Sequence, residues 1–356
     1  MTINSTHSYI ATGLSKNIDL TFLENIISES NSQKFNNRTY IHGLNHISHL
    51  TGVDYFFLHD IMTRKENPYK IFFIRKNLGN REIKEPNQRL KLVQRTINQQ
   101  VLSKIPVHWR CFSYHKGASI VKCASEHLGA KSLVKFDISD FFGNINELLV
   151  YKSLIKLKYS GSSSYAMARL CTHPNSENDN FGVLPQGAPT SPSLSNLVFF
   201  DVDCKLQRLA HKNNLIYSRY ADDITFSSFN DLSRQEFLDL KLSVVKILKY
   251  HNFELNRDKI KFISSSTPKF VLGINVGGET LKLSKRYKND IDCHIYGLKK
   301  YGLVEHMRHR EFTSVFGMIQ ELFGKINHAK SVEESFGLSR ESELRNFIQT
   351  KGLFFN

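Results

Sequence analysis

The tetrapeptide Tyr220-Ala221-Asp222-Asp223 lies between two short apolar runs, residues 216–220 and 224–227, and that juxtaposition narrows the folds open to this chain. Strand-forming residues on both sides of a short acidic stretch predict a β-hairpin with the acidic pair at its turn. The turn contains no glycine, so closing it calls for a strained backbone. A third carboxylate, Asp137, stands 85 residues before Asp222, in Leu133-Val134-Lys135-Phe136-Asp137-Ile138. Alternation puts Val134, Phe136 and Ile138 on one face of a strand, against a core, and Leu133, Lys135 and Asp137 on the other, toward a cleft. Adjacent aspartates in a tight turn cannot easily remain ionised together unless divalent cations neutralise them. Three carboxylates presented in this way point to a two-metal site for phosphoryl transfer.

Charge and composition agree with a polyanionic partner. The 356 residues include 48 Lys and Arg against 33 Asp and Glu, a formal charge of +15. A chain this basic is expected to meet nucleic acid. Its 26 Phe and 14 Tyr offer faces on which bases could stack, although most belong to a core of this size. Five widely spaced cysteines with no Cys-x-x-Cys pair support neither a disulfide framework nor a structural zinc site. The first 17 residues are polar and lack a signal-peptide pattern, and no apolar run reaches membrane-spanning length. A cytoplasmic protein with no membrane partner is expected.

Apolar spacing predicts helices across residues 21–64, a strand at 69–74, a turn at 77–80, a returning strand at 81–83 and a helix over 89–102. After Leu184-Pro185-Gln186-Gly187-Ala188-Pro189, Thr190 or Ser191 can cap a helix with Pro192 in its first turn. Leu194, Val198, Val202, Leu206 and Leu209 would form its buried stripe. From Lys282 to Arg310, eight basic residues face three acids. Ile291, Ile295, Leu298, Leu303 and Met307 give that segment a helical apolar spacing, which suits a helix pair gripping phosphates.

In chain order, Phe-Asp-Ile-Ser-Asp-Phe-Phe (136–142), Leu-Pro-Gln-Gly-Ala-Pro-Thr-Ser-Pro (184–192) and Tyr-Ala-Asp-Asp (220–223) resemble three successive polymerase palm motifs. Together they resemble a reverse transcriptase over residues 74–276, and within that group the bacterial retron enzymes. Retron enzymes typically carry Asn-Ala-x-x-His before the first catalytic motif and Val-Thr-Gly after the hairpin. This chain has Cys123-Ala124-Ser125-Glu126-His127 and Val271-Leu272-Gly273. One residue of each marker is replaced.

The resemblance implies an α+β right-hand polymerase. N-terminal helices and fingers would occupy 1–130, an antiparallel-sheet palm 131–280, with part of 145–183 packing with the fingers, and an RNA-binding helical thumb 281–356. Asp137, Asp222, Asp223 and the Ile138 carbonyl would hold two Mg²⁺. Lys259 matches a position proposed to protonate pyrophosphate. Lys76, Arg81, Gln186 and Gly187 would face the incoming deoxynucleoside triphosphate, and Phe142 would exclude a ribose 2′-hydroxyl. Lys285, Arg286, Lys288, Lys299, Lys300 and Arg308 would contact RNA. A retron enzyme starts from a 2′-hydroxyl of its own structured noncoding RNA, makes a branched RNA–DNA hybrid and works with an effector protein in antiphage defence. The 80 residues after Val276 leave little room for a maturase, DNA-binding or endonuclease extension, which favours a retron over a group II intron type. CRISPR-linked or abortive-infection enzymes, and a noncatalytic RNA-binding scaffold, are the alternatives.

Overall fold

The computed structural model describes residues 3–75, 79–174 and 181–351. Four helices open the chain: α1 (Ile3–Ser15), α2 (Leu20–Phe35), α3 (Leu44–Thr51) and α4 (Tyr55–Met62). Asp19 and Asp54 cap α2 and α4 by accepting from the Phe22 and Phe57 amides, donors that a helix start otherwise leaves unpaired. β1 (Tyr69–Arg75) and β2 (Asn80–Pro86) pair antiparallel from Tyr69↔Pro86 to Arg75↔Asn80. The next helix, α5 (Gln88–Gln100), ends short of the expected 102, where a 3-10 turn at Leu102–Lys104 takes over.

The middle of the chain contains α6 (Ile120–Ser125), β3 (Ser132–Asp137), α7 (Glu147–Lys156), α8 (Gly161–Cys171) and the short pair β4 (His173–Pro174) and β5 (Gly182–Val183). It continues through α9 (Ser191–Lys212), the hairpin β6 (Ile216–Tyr220) and β7 (Asp223–Ser228), α10 (Arg234–Tyr250) and β8 (Lys261–Ile263). Last come β9 (Phe270–Val271), β10 (Ile274–Asn275), β11 (Lys282–Leu283), α11 (Lys285–His309), α12 (Val315–Val332) and α13 (Glu334–Thr350).

These elements form two compact units. The first comprises Met1–Lys116, Ile138–Leu206 and Val244–Leu255, and the second Gly117–Asp137, Gln207–Ser243 and Asn256–Asn356. In the first, Phe141, Phe199 and Phe253 form an aromatic core with ring centroids 5.0–6.0 Å apart. The same unit buries an ionic hub. The Glu147 carboxylate accepts from Arg64 at 2.8 Å, Arg169 at 3.2 Å and the Gly182 amide at 3.2 Å.

The expected stripe of α9 is only partly correct. Leu194, Val202 and Leu206 are buried, but Val198 and Leu209 are half-buried, and Phe199 and Ala210 take their places. At roughly 100° per residue Phe199 and Ala210 fall about 20–40° past Leu206 around the helix, so the buried face is centred beyond the expected stripe. The helix starts at Ser191, with Thr190 just before it and Pro192 in its first turn, as expected; the Ser191 hydroxyl donates to the Pro185 carbonyl at 2.7 Å.

The second unit carries a four-stranded antiparallel sheet in the order β6-β7-β3-β8. The polar face of β3 is less open than alternation predicts, because Leu133 is fully buried and Asp137 only 8% exposed. The segment after α6 covers that face, with His127 reaching Ser227, the cross-strand partner of Leu133. The opening is thereby confined to the Lys135–Asp137 end. β9 and β10 are joined by Leu272 (φ 50°) and Gly273 (φ 85°), two consecutive left-handed residues as a tight hairpin requires. The terminal helices enclose their own core of Ile291, Ile295, Leu298, Met318, Leu322, Ile326 and Leu344. α11 is kinked at Gly302 (φ 77°). No helix among the described residues is long and apolar enough to cross a membrane.

Candidate active site

The hairpin closes as its sequence requires, and the strain falls on one residue. Ala221 adopts φ 56° in the turn between Tyr220 and Asp223. Arg219, fully buried, donates from Nη1 to the Ala221 carbonyl at 3.0 Å and holds the turn from below. No motif identifies Arg219 in advance, since a charged residue inside a strand normally reads as solvent-facing.

Strand register does the rest. Asp137 at the end of β3 lies directly across from Asp223 at the start of β7, and Asp222 occupies the turn beside it. Lys259 arrives on a 3-10 turn, Arg257–Lys259, that the Asn256 side chain caps. The Asn256 amide donates to the Asp137 carbonyl at 2.8 Å, which ties that turn to the strand end. The Lys259 ammonium then donates to both Asp137 oxygens, at 3.0 and 2.9 Å.

The electrostatics follow from this crowding. Burial raises the Asp223 carboxyl above the usual carboxylate range, with repulsion from Asp222 and Asp137 adding to it and Lys135 and Lys259 opposing it. The hydrogen bonds to Asp137 raise Lys259 in turn, so it stays protonated. Hard carboxylate oxygens that repel one another are the donor set a divalent cation relieves. Among the described residues no three His, Cys, Asp or Glu side chains close around a single point, and the Lys259 ammonium supplies the positive charge at Asp137.

The other expected residues distribute as follows. Ile138, buried, forms an isolated bridge with Leu255 in the first unit. There too, Phe141 is core, while Phe142 is half-buried, its ring 6.2 Å from that of Tyr114. Arg81 is exposed on β2 opposite Ile74; Lys76 lies outside the described residues. The Gln186 carbonyl accepts from the Lys84 amide at 2.7 Å, which fastens the 184–187 loop to β2. Gly187 is required there twice over: its φ is 117°, and a Cβ would come within 2.8 Å of the Ile83 side chain. A cavity of about 210 Å³ opens beside this junction, lined by Glu82, Lys84, Asp140, Gly143, Pro185 and Gln186. Lys84 carries no motif and was not foreseen.

On α11, Lys285, Arg286, Lys299, Lys300 and Arg308 are exposed. Several are already paired: Lys288 with Glu333 at 2.5 Å, Lys299 with Glu343 at 2.6 Å and Arg308 with Glu305 at 2.7 Å. Two of these acids lie on or beside α13, beyond the basic window read in the sequence, so the face is less positive than its local count implies. Lys300 lies 5.5 and 5.2 Å from the exposed Tyr296 and Tyr301 rings.

Residues 74–276 match the family described as reverse transcriptase (RNA-dependent DNA polymerase), more than half of the chain, and the protein belongs to that family. It is accordingly an RNA-directed DNA polymerase of α+β right-hand fold, whose chemistry uses divalent metal and a nucleic-acid template. Among characterised relatives it is similar to the Retron Ec86 reverse transcriptase of Escherichia coli, 26% identical over 268 residues, spanning 70% of this chain and 81% of that protein. The Retron Ec83 reverse transcriptase of Escherichia coli is 28% identical over 261 residues, 70% of this chain and 82% of that one. A solved structure of apo telomerase from Candida tropicalis aligns at TM-score 0.45 and 12% identity, covering 79% of this chain and 57% of that chain.

Proposed function

We propose that the protein is a retron reverse transcriptase that copies a cognate structured noncoding RNA into branched RNA–DNA, primed from an RNA 2′-hydroxyl. The observation that carries the catalytic part is the Asp137↔Asp223 register with Asp222 in the adjoining turn and Lys259 on Asp137. The similarity to the Ec86 and Ec83 enzymes carries the retron part. In this reading the fingers, palm and thumb occupy 1–130, 131–280 and 281–356, and the thumb residues Lys285, Arg286, Lys288, Lys299, Lys300 and Arg308 grip RNA through its phosphates. The branched product would act with an effector protein in antiphage defence, in the cytoplasm.

Asp137, Asp222, Asp223 and the Ile138 carbonyl would hold two Mg²⁺. Divalent ions held there would supply activation of the primer hydroxyl and neutralisation of charge on the leaving pyrophosphate. The primer hydroxyl would lose its proton to solvent as its oxygen bonds to the α-phosphorus and the bond to pyrophosphate breaks. Arg81, Lys76 and Gln186 orient the triphosphate, with guanidinium and ammonium donors suited to phosphate oxygens. Gly187 keeps that loop against β2.

Lys259, held protonated, gives its proton to the departing pyrophosphate. Replacing it with glutamine should slow the single-turnover rate about 100-fold while deoxynucleotide affinity is unchanged; an unaltered rate would remove Lys259 from the chemistry. Phe142 would exclude a ribose 2′-hydroxyl, and its replacement by alanine should raise ribonucleotide incorporation roughly tenfold or more. Primer extension with competing ribo- and deoxynucleotides measures this, and unchanged selectivity would place the gate elsewhere.

The function as a whole is tested by expressing the protein with the noncoding DNA flanking its gene and treating extracted nucleic acid with RNase and a debranching enzyme. A discrete single-stranded DNA whose mobility shifts on debranching is expected. Extension of an added primer on RNA without any branched product would leave a reverse transcriptase of another bacterial type.

A further inference from the structure

His127 closes the motif Cys123-Ala124-Ser125-Glu126-His127, which the polymerase chemistry leaves without a task. Its ring is fully buried, with each nitrogen 2.6 Å from a serine hydroxyl: Nε2 from Ser218 Oγ and Nδ1 from Ser227 Oγ. The two serines, each about 1% exposed, stand on opposite strands of the aspartate hairpin, Ser218 on β6 and Ser227 on β7. Because Ser218 pairs with Thr225 and Ile216 with Ser227, the two hydroxyls lie diagonally on one face of the hairpin. Alternation along β7 puts Asp223 on that face too. Cys123, one turn earlier, places its Sγ 3.4 Å from Ser218 Oγ.

We propose that His127, Ser218 and Ser227 form a buried clasp that positions the hairpin carrying Asp222 and Asp223, a role that rests on the polymerase reading above. The hairpin needs such a part. β6 is the edge strand of the sheet, so it has ladder bonds on one side only. Its turn is strained at Ala221. A neutral imidazole can donate to one hydroxyl and accept from the other, joining the strands through a side chain that water does not reach. The segment bearing it is itself anchored, since the Gly129 amide donates to the Val276 carbonyl and the Lys131 amide to the Ser228 carbonyl, both at 2.8 Å. His127 is thus a positioning residue, acting on the metal-binding carboxylates through the strands beneath them.

The test compares His127→Ala, His127→Asn, Ser218→Ala, Ser227→Ala, the double serine variant and the triple variant in metal-dependent primer extension. His127→Ala should lower kcat roughly 10- to 100-fold and raise the Mg²⁺ concentration for half-maximal rate, as loss of a residue supporting metal ligands does. The KM for deoxynucleotide should stay unchanged. His127→Asn, which keeps a donor toward one serine, should recover part of the loss. The triple variant should be no worse than His127→Ala, because the three groups act as one unit. The serine variants are near-isosteric and keep the comparison valid where His127→Ala fails to fold. Wild-type kcat in both serine variants and in their double, or losses that simply add, would overturn the clasp. Amide hydrogen exchange across 216–228 reads it without activity: faster exchange confined to that hairpin in the double serine variant supports the clasp, and unchanged exchange rejects it. A wild-type protein that exchanges as expected but incorporates no nucleotide would sink the polymerase reading alone.

Discussion

Asp222→Asn should abolish DNA synthesis while the protein melts at the wild-type temperature and binds RNA as before. The substitution keeps the size of the side chain and removes one negative charge from a turn in which burial and the repulsion of Asp222 and Asp137 already raise the Asp223 carboxyl. Folding therefore loses nothing at this position, and relief of that repulsion offsets any lost turn contact. On the proposed reading catalysis would lose a ligand for the divalent ions that stabilise charge in the transition state, a contribution of about 4 kcal/mol or more, or roughly a thousandfold in rate. The measurement pairs metal-dependent incorporation on an RNA template with a thermal melt and an RNA-binding titration. Retained synthesis would show that the acidic pair is an ordinary turn and would remove Asp222 from the catalytic site. Loss of synthesis together with loss of fold would show that the hairpin is structural first.

The parts of this site that could be read from the sequence are those fixed by local patterning. A strand–turn–strand pattern around Asp222 and Asp223 needs only period-two alternation and a short connection, and the register then follows from which face is buried. Helix α11 was legible for the same reason, with Ile291, Ile295 and Leu298 buried where their spacing places them. What stayed hidden depends on residues far apart in the chain. Arg219 supports the turn from inside the sheet, and no rule of composition distinguishes a buried arginine from an exposed one. The covering of Leu133 needed the segment carrying His127, and the pairing of Lys288 and Lys299 needed acids 45 and 44 residues away. The close approach foreseen for Gly187 is real, but its nearest neighbours are Ile83 and Lys84 of β2.

Glu147→Gln should destabilise the protein by roughly 3–5 kcal/mol, lowering its melting temperature by about 10 °C. Glu147 opens α7 with its side chain only about 5% exposed, and both Arg64 and Arg169 donate to it. Burial is the largest cause lowering the Arg64 guanidinium below its ordinary range, and the neighbouring Arg169 charge adds to it while Glu147 opposes both. An amide of the same shape keeps acceptance from Thr172 and the Gly182 amide but removes the negative charge that both the Arg64 and Arg169 guanidinium groups face. The cost is that of removing one charged partner from a buried ionic cluster, larger than the net contribution of the intact cluster. Synthesis should weaken as well, at temperatures where the variant is still folded. Glu147 fixes β5 through Gly182; Val183 of β5 bridges to Asn146, and the Leu184 amide donates to the Ile145 carbonyl. The loop carrying Gln186 and Gly187 hangs from those bonds, so loosening them should raise the KM for deoxynucleotide more than it lowers kcat. Thermal melts at several protein concentrations and steady-state extension below the transition separate the two effects. A loss under about 1 kcal/mol, the scale of an exposed ion pair, would show that water reaches the hub and that Glu147 is not what holds the loop.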